Sequence, residues 1–377
     1  MPKRRTEDVV HSLATDHLIQ RKPTEGLTAP RPERHEQGEN AWRGEVVLYY
    51  PKPAQAADEL YVSLAQVIEN SNLKLGIPRL RAALTRRPDA RAEFHLGLAE
   101  ALRNTGDHAA ALVSYREAAR RNPRSPFLLR KLGIALRESG QVAQSLQTLQ
   151  QAAALAPKDP LNWHEIGLSH RADDDAVRAR AAFEKAIALD ADLPEPHGNL
   201  GALLFAGGDQ QRAEAELREA IRLQPNYADA HDNLANLLAA GGAFAQARPH
   251  FEAALGLRPE DARTHYNFAM ALGRARLFDE AKEHLELAVR HGPNLLDARL
   301  VLADLLMATG QQQAALVHLR EAVRIDPASH RAHLNLGLAL LAAGERSDAV
   351  THLRKAAASS DANLREAAVD ALRQIGQ

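Results

Sequence analysis

The same residue types return every 34 residues over most of this chain, with seven consecutive units from Pro126 free of insertions or deletions. From Pro126 a unit reads Leu129, Leu132-Gly133, Leu136, Gly140, Ser145, Leu149, Ala152 and Pro157. Equivalent units begin at Pro160, Pro194, Ala228, Ala262, Leu296 and His330, and two more fit upstream at 92–125 and, more weakly, at 57–90. Within a unit, apolar residues at offsets 4, 7, 8 and 11 share one face of a helix, and those at 20, 24, 27 and 28 share one face of a second. Small residues such as Gly133, Ala213 and Ala254 let the two backbones approach closely. Glycine at offset 15 (Gly106, Gly140, Gly208, Gly242, Gly310, Gly344) supplies the left-handed residue that ends the first helix. Proline at offset 32 ends the second. One such pair cannot bury its own apolar face, so neighbours must stack.

Composition agrees with helices. Hydrophobic residues are 45% and aromatics only 4%, so Ala and Leu, the strongest helix formers, must fill the core. Lys plus Arg number 47 against 48 for Asp plus Glu, and a net charge of -1 argues against a nucleic-acid or polybasic membrane role. Cysteine is absent, which excludes disulfides, thiolate nucleophiles and Cys-ligated metals within this sequence. No apolar run approaches the length of a membrane span. The opening residues lack the apolar stretch of an export signal, so the sequence as written reads as cytoplasmic.

The offsets resemble those of the tetratricopeptide repeat (TPR) family, W-x2-L-G-x2-Y…A-x3-F…A…P, over about 57–363. The resemblance implies an all-α, right-handed superhelical solenoid of about nine helix pairs: 57–90, 92–125, 126–159, 160–193, 194–227, 228–261, 262–295, 296–329 and 330–363. The tail, 364–377, reads as an amphipathic helix capping the last repeat. The main departure is offset 4, where His95, His197, His231, His265 and His333 replace the family's Trp. Repeats lie about 10 Å apart, too far for one metal ion to collect several of these rings, so they read as packing residues at repeat junctions. His250, His284, His318 and His352 recur at one offset of the second helices and read as an echo of the repeat.

Residues 1–56 break the period and read as an irregular arm with one strand-like run, Val46–Tyr50. MPKRRTEDVVHSLATDHLIQRKP and the later WRGEVVLYYP resemble the segment that follows a C-x-x-C-H motif in multihaem c-type cytochromes carrying C-terminal TPRs. That resemblance implies His11 and His17 as candidate haem ligands. It allows a c-type haem only if an upstream C-x-x-C-H segment exists, in which case the chain is part of an exported, periplasmic electron-transfer protein.

No nucleophile–base pair, phosphate loop or paired-carboxylate motif stands out, so the expectation is a non-enzymatic scaffold that binds a partner protein or extended peptide. In the TPR family the first helix of each pair lines the concave groove. Asparagine occupies offset 6 there at Asn199, Asn233, Asn267 and Asn335. Amides both donate and accept, so a row of them can hold peptide backbone of any sequence. The row resembles the asparagine ladder of O-GlcNAc transferase TPR regions, which also raises an accessory role beside a glycosyltransferase. Asn236 joins the row, and Phe205, Tyr266, Met270 and Met307, with Leu300, Leu334, Leu338 and Leu341, form an adaptable apolar lining. Asp229, Asp232, Asp297 and Asp304 add negative charge, so a clamp for terminal carboxylates does not fit. Residues 57–131 carry 13 basic against 8 acidic side chains, whereas 132–377 carry 25 against 32, and an acidic partner at the N-terminal end is conceivable on charge alone.

Overall fold

The computed structural model describes residues 19–21, 46–48, 56–69 and 72–376, and the chain divides into two compact units, residues 1–191 and 192–377. The first unit holds four helix pairs: α1 (Ala56–Ile68) with α2 (Leu73–Arg86), α3 (Ala92–Asn104) with α4 (His108–Arg121), α5 (Pro126–Glu138) with α6 (Val142–Leu155), and α7 (Pro160–Ala172) with α8 (Ala176–Leu189). The second holds five pairs: α9 (Pro194–Ala206) with α10 (Gln210–Leu223), α11 (Ala228–Ala240) with α12 (Phe244–Leu257), α13 (Ala262–Arg274) with α14 (Phe278–His291), α15 (Leu296–Ala308) with α16 (Gln312–Ile325), and α17 (His330–Ala342) with α18 (Arg346–Ala356). A final helix, α19 (Ala362–Gln374), covers the last pair. Two three-residue strands precede the helices, β1 (Ile19–Arg21) and β2 (Val46–Leu48), antiparallel with Ile19 opposite Leu48. The strand-like run expected at Val46–Tyr50 is thus a strand over its first three residues, and β2 lies beside α1.

The sequence grammar of each pair appears in its backbone. All six offset-15 glycines have positive φ, from +76° at Gly310 to +85° at Gly208. Two repeats place a side chain there instead, Asp174 at +56° and Arg276 at +62°. The second helices start on capping aspartates in several repeats, Asp107, Asp175 and Asp209 each accepting a backbone N–H from the first turn. Proline opens α5, α7 and α9, where a missing N–H costs nothing. Close approach within a pair rests on glycine: a Cβ on Gly133 would lie 2.5 Å from Leu149, and one on Gly201 2.7 Å from Leu217.

In each unit a second helix packs on the first helix that follows it, and first helices of successive pairs also approach one another, as α9 does α11 and α11 does α13. The first helices therefore form the inner side of each stack. The core runs along the seam between helices. Phe183 in the first unit, and Leu217, Phe251 and Leu285 in the second, are fully buried, each contributing about 2–3 kcal/mol of burial. Ala368 and Ala371 of α19 pack against Leu353 and Ala356 of α18, which removes the last repeat's apolar face from water.

Candidate functional site

The amide row falls entirely within the second unit, on the first helices α9, α11, α13 and α17. Asn199, Asn233, Asn267 and Asn335 are all half-buried, but their amides are not equivalent. Asn267 donates to Asp232 of the preceding repeat at 3.0 Å, and Asn335 donates to Asp304 at 2.8 Å. Asn199 and Asn236 instead donate to carbonyls of their own helices, Glu195 and Asp232, each at 2.9 Å. Half-buried Asn233 makes no hydrogen bond among the described residues, so its amide is unpaired there.

The acidic side chains beside the row are likewise engaged. Asp229 pairs with Arg258, and Asp297 lies 3.7 Å from Arg331. Burial pushes the Asp232 carboxyl up to about 6, against the opposing effect of the hydrogen bond from Asn267. A carboxylate held on the inner face against its desolvation makes this a candidate site.

Phe205 on α9, Tyr266 and Met270 on α13 and Met307 on α15 are half-buried, while Leu338 on α17 is 43% exposed. Leu300 and Leu334 do not line a groove. Leu300 is buried in the core of α15–α17, and Leu334 is buried with Leu353 beneath α19. Offset 5 sits at the edge of the inner face, and a leucine there turns into the core.

The offset-4 side chain has a definite task. Trp163 donates its indole N–H to the carbonyl of Pro157 at 3.1 Å, and Arg299 donates to that of Pro293 at 2.8 Å. His231, His265 and His333 place Nε2 at 3.1, 2.9 and 3.1 Å from the carbonyls of Pro225, Pro259 and Pro327. Each donor reaches the proline that closed the preceding repeat, six residues earlier. Indole, guanidinium and imidazole all supply the same N–H, which is why histidine can replace tryptophan here.

The two histidine rows of the sequence are one feature. His231 meets His250 Nδ1 to Nδ1 at 3.0 Å, His265 meets His284 at 2.9 Å, and His333 meets His352 at 2.8 Å. The carbonyl can only accept, so Nε2 of the first ring carries its proton and Nδ1 of the first ring accepts from Nδ1–H of the second. His197 makes the related contact to Glu216 at 2.6 Å. Burial lowers the pKa of His250, His265, His333 and His352, and takes His284 to about 4. Among the described residues no group of three or more His, Asp or Glu could hold a metal ion. His11 and His17 lie outside the described residues.

None of the described helices is long and apolar enough to cross a membrane. Among solved structures, the chain is similar to a chain of the APC/C hetero-tetramer Cut9–Hcn1, with 18% identity over 75% of this chain and a TM-score of 0.59. It spans 56% of that chain's length. It is also similar to yeast Tom70, with 18% identity, a TM-score of 0.50, and 85% and 89% of the two chains covered. These likenesses speak to the fold. No curated protein matches the chain. A tetratricopeptide repeat profile matches residues 68–126, 130–194 and 199–262, and a further TPR repeat profile matches 303–344. With the 34-residue grammar and the stacked helix pairs, these matches make the chain a member of the tetratricopeptide repeat family.

Proposed function

We propose that the protein is a non-catalytic scaffold that holds an extended segment of a partner protein along the inner face of its second unit. The TPR fold is typical of protein-interaction modules, and partner proteins are its usual ligands. What supports the finer reading is the amide row: half-buried asparagines recur one repeat apart on α9, α11 and α13, flanked by Phe205, Tyr266 and Met270.

In this reading Asn233 supplies a full amide to the ligand backbone. Asn267 is held by Asp232, so its carbonyl oxygen and second N–H are the groups it presents. Asp232 accepts from a ligand N–H or pairs with a cationic side chain, and the methionines adapt to apolar side chains. The carboxylates favour a neutral or basic segment over an acidic one.

The test is selection of peptides from a displayed random library on the immobilised full chain. Affinities of the selected peptides are then compared between wild type and the Asn233→Ala/Asn267→Ala double variant. A loss of about tenfold or more with unchanged helicity supports the reading. Equal affinities for both proteins defeat it.

A further inference from the structure

One repeat junction is built differently from the others. A single extra residue, Arg91, separates the unit 57–90 from the unit starting at Ala92. The side chain at offset 4 of that unit, His95, therefore no longer faces the carbonyl of the closing proline. The carbonyls of Pro88 and Ala90 accept instead from Arg121. Nε2 of His95 is left buried without a hydrogen-bond partner among the described residues. Where four repeats of the second unit place a histidine at offset 23, this one has Ser114, whose hydroxyl donates to the carbonyl of Ala110 at 3.1 Å.

The ring pair found at three junctions of the second unit is thus missing here, and a cavity of about 780 Å³ lies beside His95. It opens between α2 and α4, with Leu84, Leu98 and His95 at its base and Val113, 65% exposed, on its lip. Arg81, Arg116 and Arg120 rim it. Arg116 is bonded to neutral Gln141 at 2.6 Å, and Arg81 makes no ion pair among the described residues. The rim's one carboxylate, Glu117, already serves both Arg120 and Arg121, each at 2.7 Å. Two of the three rim guanidinium charges are therefore unmet, over an apolar floor that ends in an orphaned imidazole nitrogen.

We infer that this cavity is a second docking surface, separate from the amide row. It takes an acidic segment of a partner protein that inserts an apolar side chain between α2 and α4. Carboxylates of the segment pair with Arg81 and Arg116, and a polar atom of the anchor's backbone meets His95 Nε2. Burial and the charge of Arg121 keep the His95 ring neutral, so that nitrogen contributes a directional bond and no charge.

The probe is a short fluorescein-labelled peptide of Glu, Ala and Leu, with a twin carrying Lys for every Glu, titrated against the full chain by fluorescence anisotropy. The acidic peptide is expected to bind at least about tenfold more tightly than its twin, with a preference that shrinks as salt rises. Arg81→Glu/Arg116→Glu should weaken it about tenfold or more, and both positions are exposed enough to leave the fold intact. Ser114→His, which restores the imidazole pair used elsewhere, should close the cavity and reduce binding to a similar degree while helicity is kept. Asn233→Ala/Asn267→Ala should leave this affinity unchanged, which separates this surface from the inner face of the second unit. Equal binding of both peptides would overturn the inference, as would indifference to both the arginine and the Ser114 changes. So would capture of anionic phospholipid vesicles with no peptide binding, or self-association of the chain that the arginine changes abolish.

Discussion

Replacing His265 with phenylalanine keeps a buried ring and removes both of its nitrogens. The wild-type ring makes two hydrogen bonds, to the Pro259 carbonyl at 2.9 Å and with Nδ1 of His284 at 2.9 Å, and it is only 5% exposed. A net hydrogen bond is worth about 1 kcal/mol, so the variant should lose about 2 kcal/mol at this junction. The loss is local, because a stacked repeat draws its stability from its own pair and its neighbours. Amide exchange read residue by residue is therefore the appropriate assay. Amides of α13 that exchange by local opening should speed up about thirtyfold, while those of α3 and α4 keep their rates. A variant in which α13 exchanges as in wild type, or in which urea unfolding shifts by less than about 0.5 kcal/mol, would refute the junction role.

Two further outcomes follow from the same geometry. Arg276 holds φ at +62°, where six other repeats use glycine, so Arg276→Gly should stabilise the chain by about 1 kcal/mol and Gly242→Ala, at +80°, should cost about as much. Thermal melts of the full chain check both signs. The His265–His284 pair should make the second unit acid-sensitive: an unfolded imidazole takes a proton below about 6.5, whereas folded His284 does so only near 4. In that window the unfolded state binds more protons, so stability is fully present above it and falls as pH drops through it. Urea midpoints measured across the window should show that slope, and His284→Phe should flatten it.

The period, the helix ends and the inner-face asparagines were all legible because each depends on a residue type at a fixed offset. Positive φ at Asp174 and Arg276 was not, since neither residue type announces a left-handed backbone as glycine does. The histidine rows looked independent because their contact joins offsets 4 and 23, and only the rotation of the second helix against the first brings those together. The bonds that tie Asn267 to Asp232 and Asn335 to Asp304 cross between repeats, beyond the reach of any single-helix pattern. They alter what the row can offer, leaving Asn233 as its unpaired amide. Leu300 and Leu334 lie where groove and core meet, and the small rotation that sends them inward is set by packing.

Carbene footprinting of the full chain, with and without a selected peptide, asks most directly whether the first-helix face of the second unit is a binding surface. Labelling should fall at Phe205, Tyr266, Met270 and Met307 when peptide is bound, and stay constant on exposed Val113 and Val177 of the first unit. Protection confined to the second helices, or to the first unit, would contradict the assignment of the amide row as the ligand site.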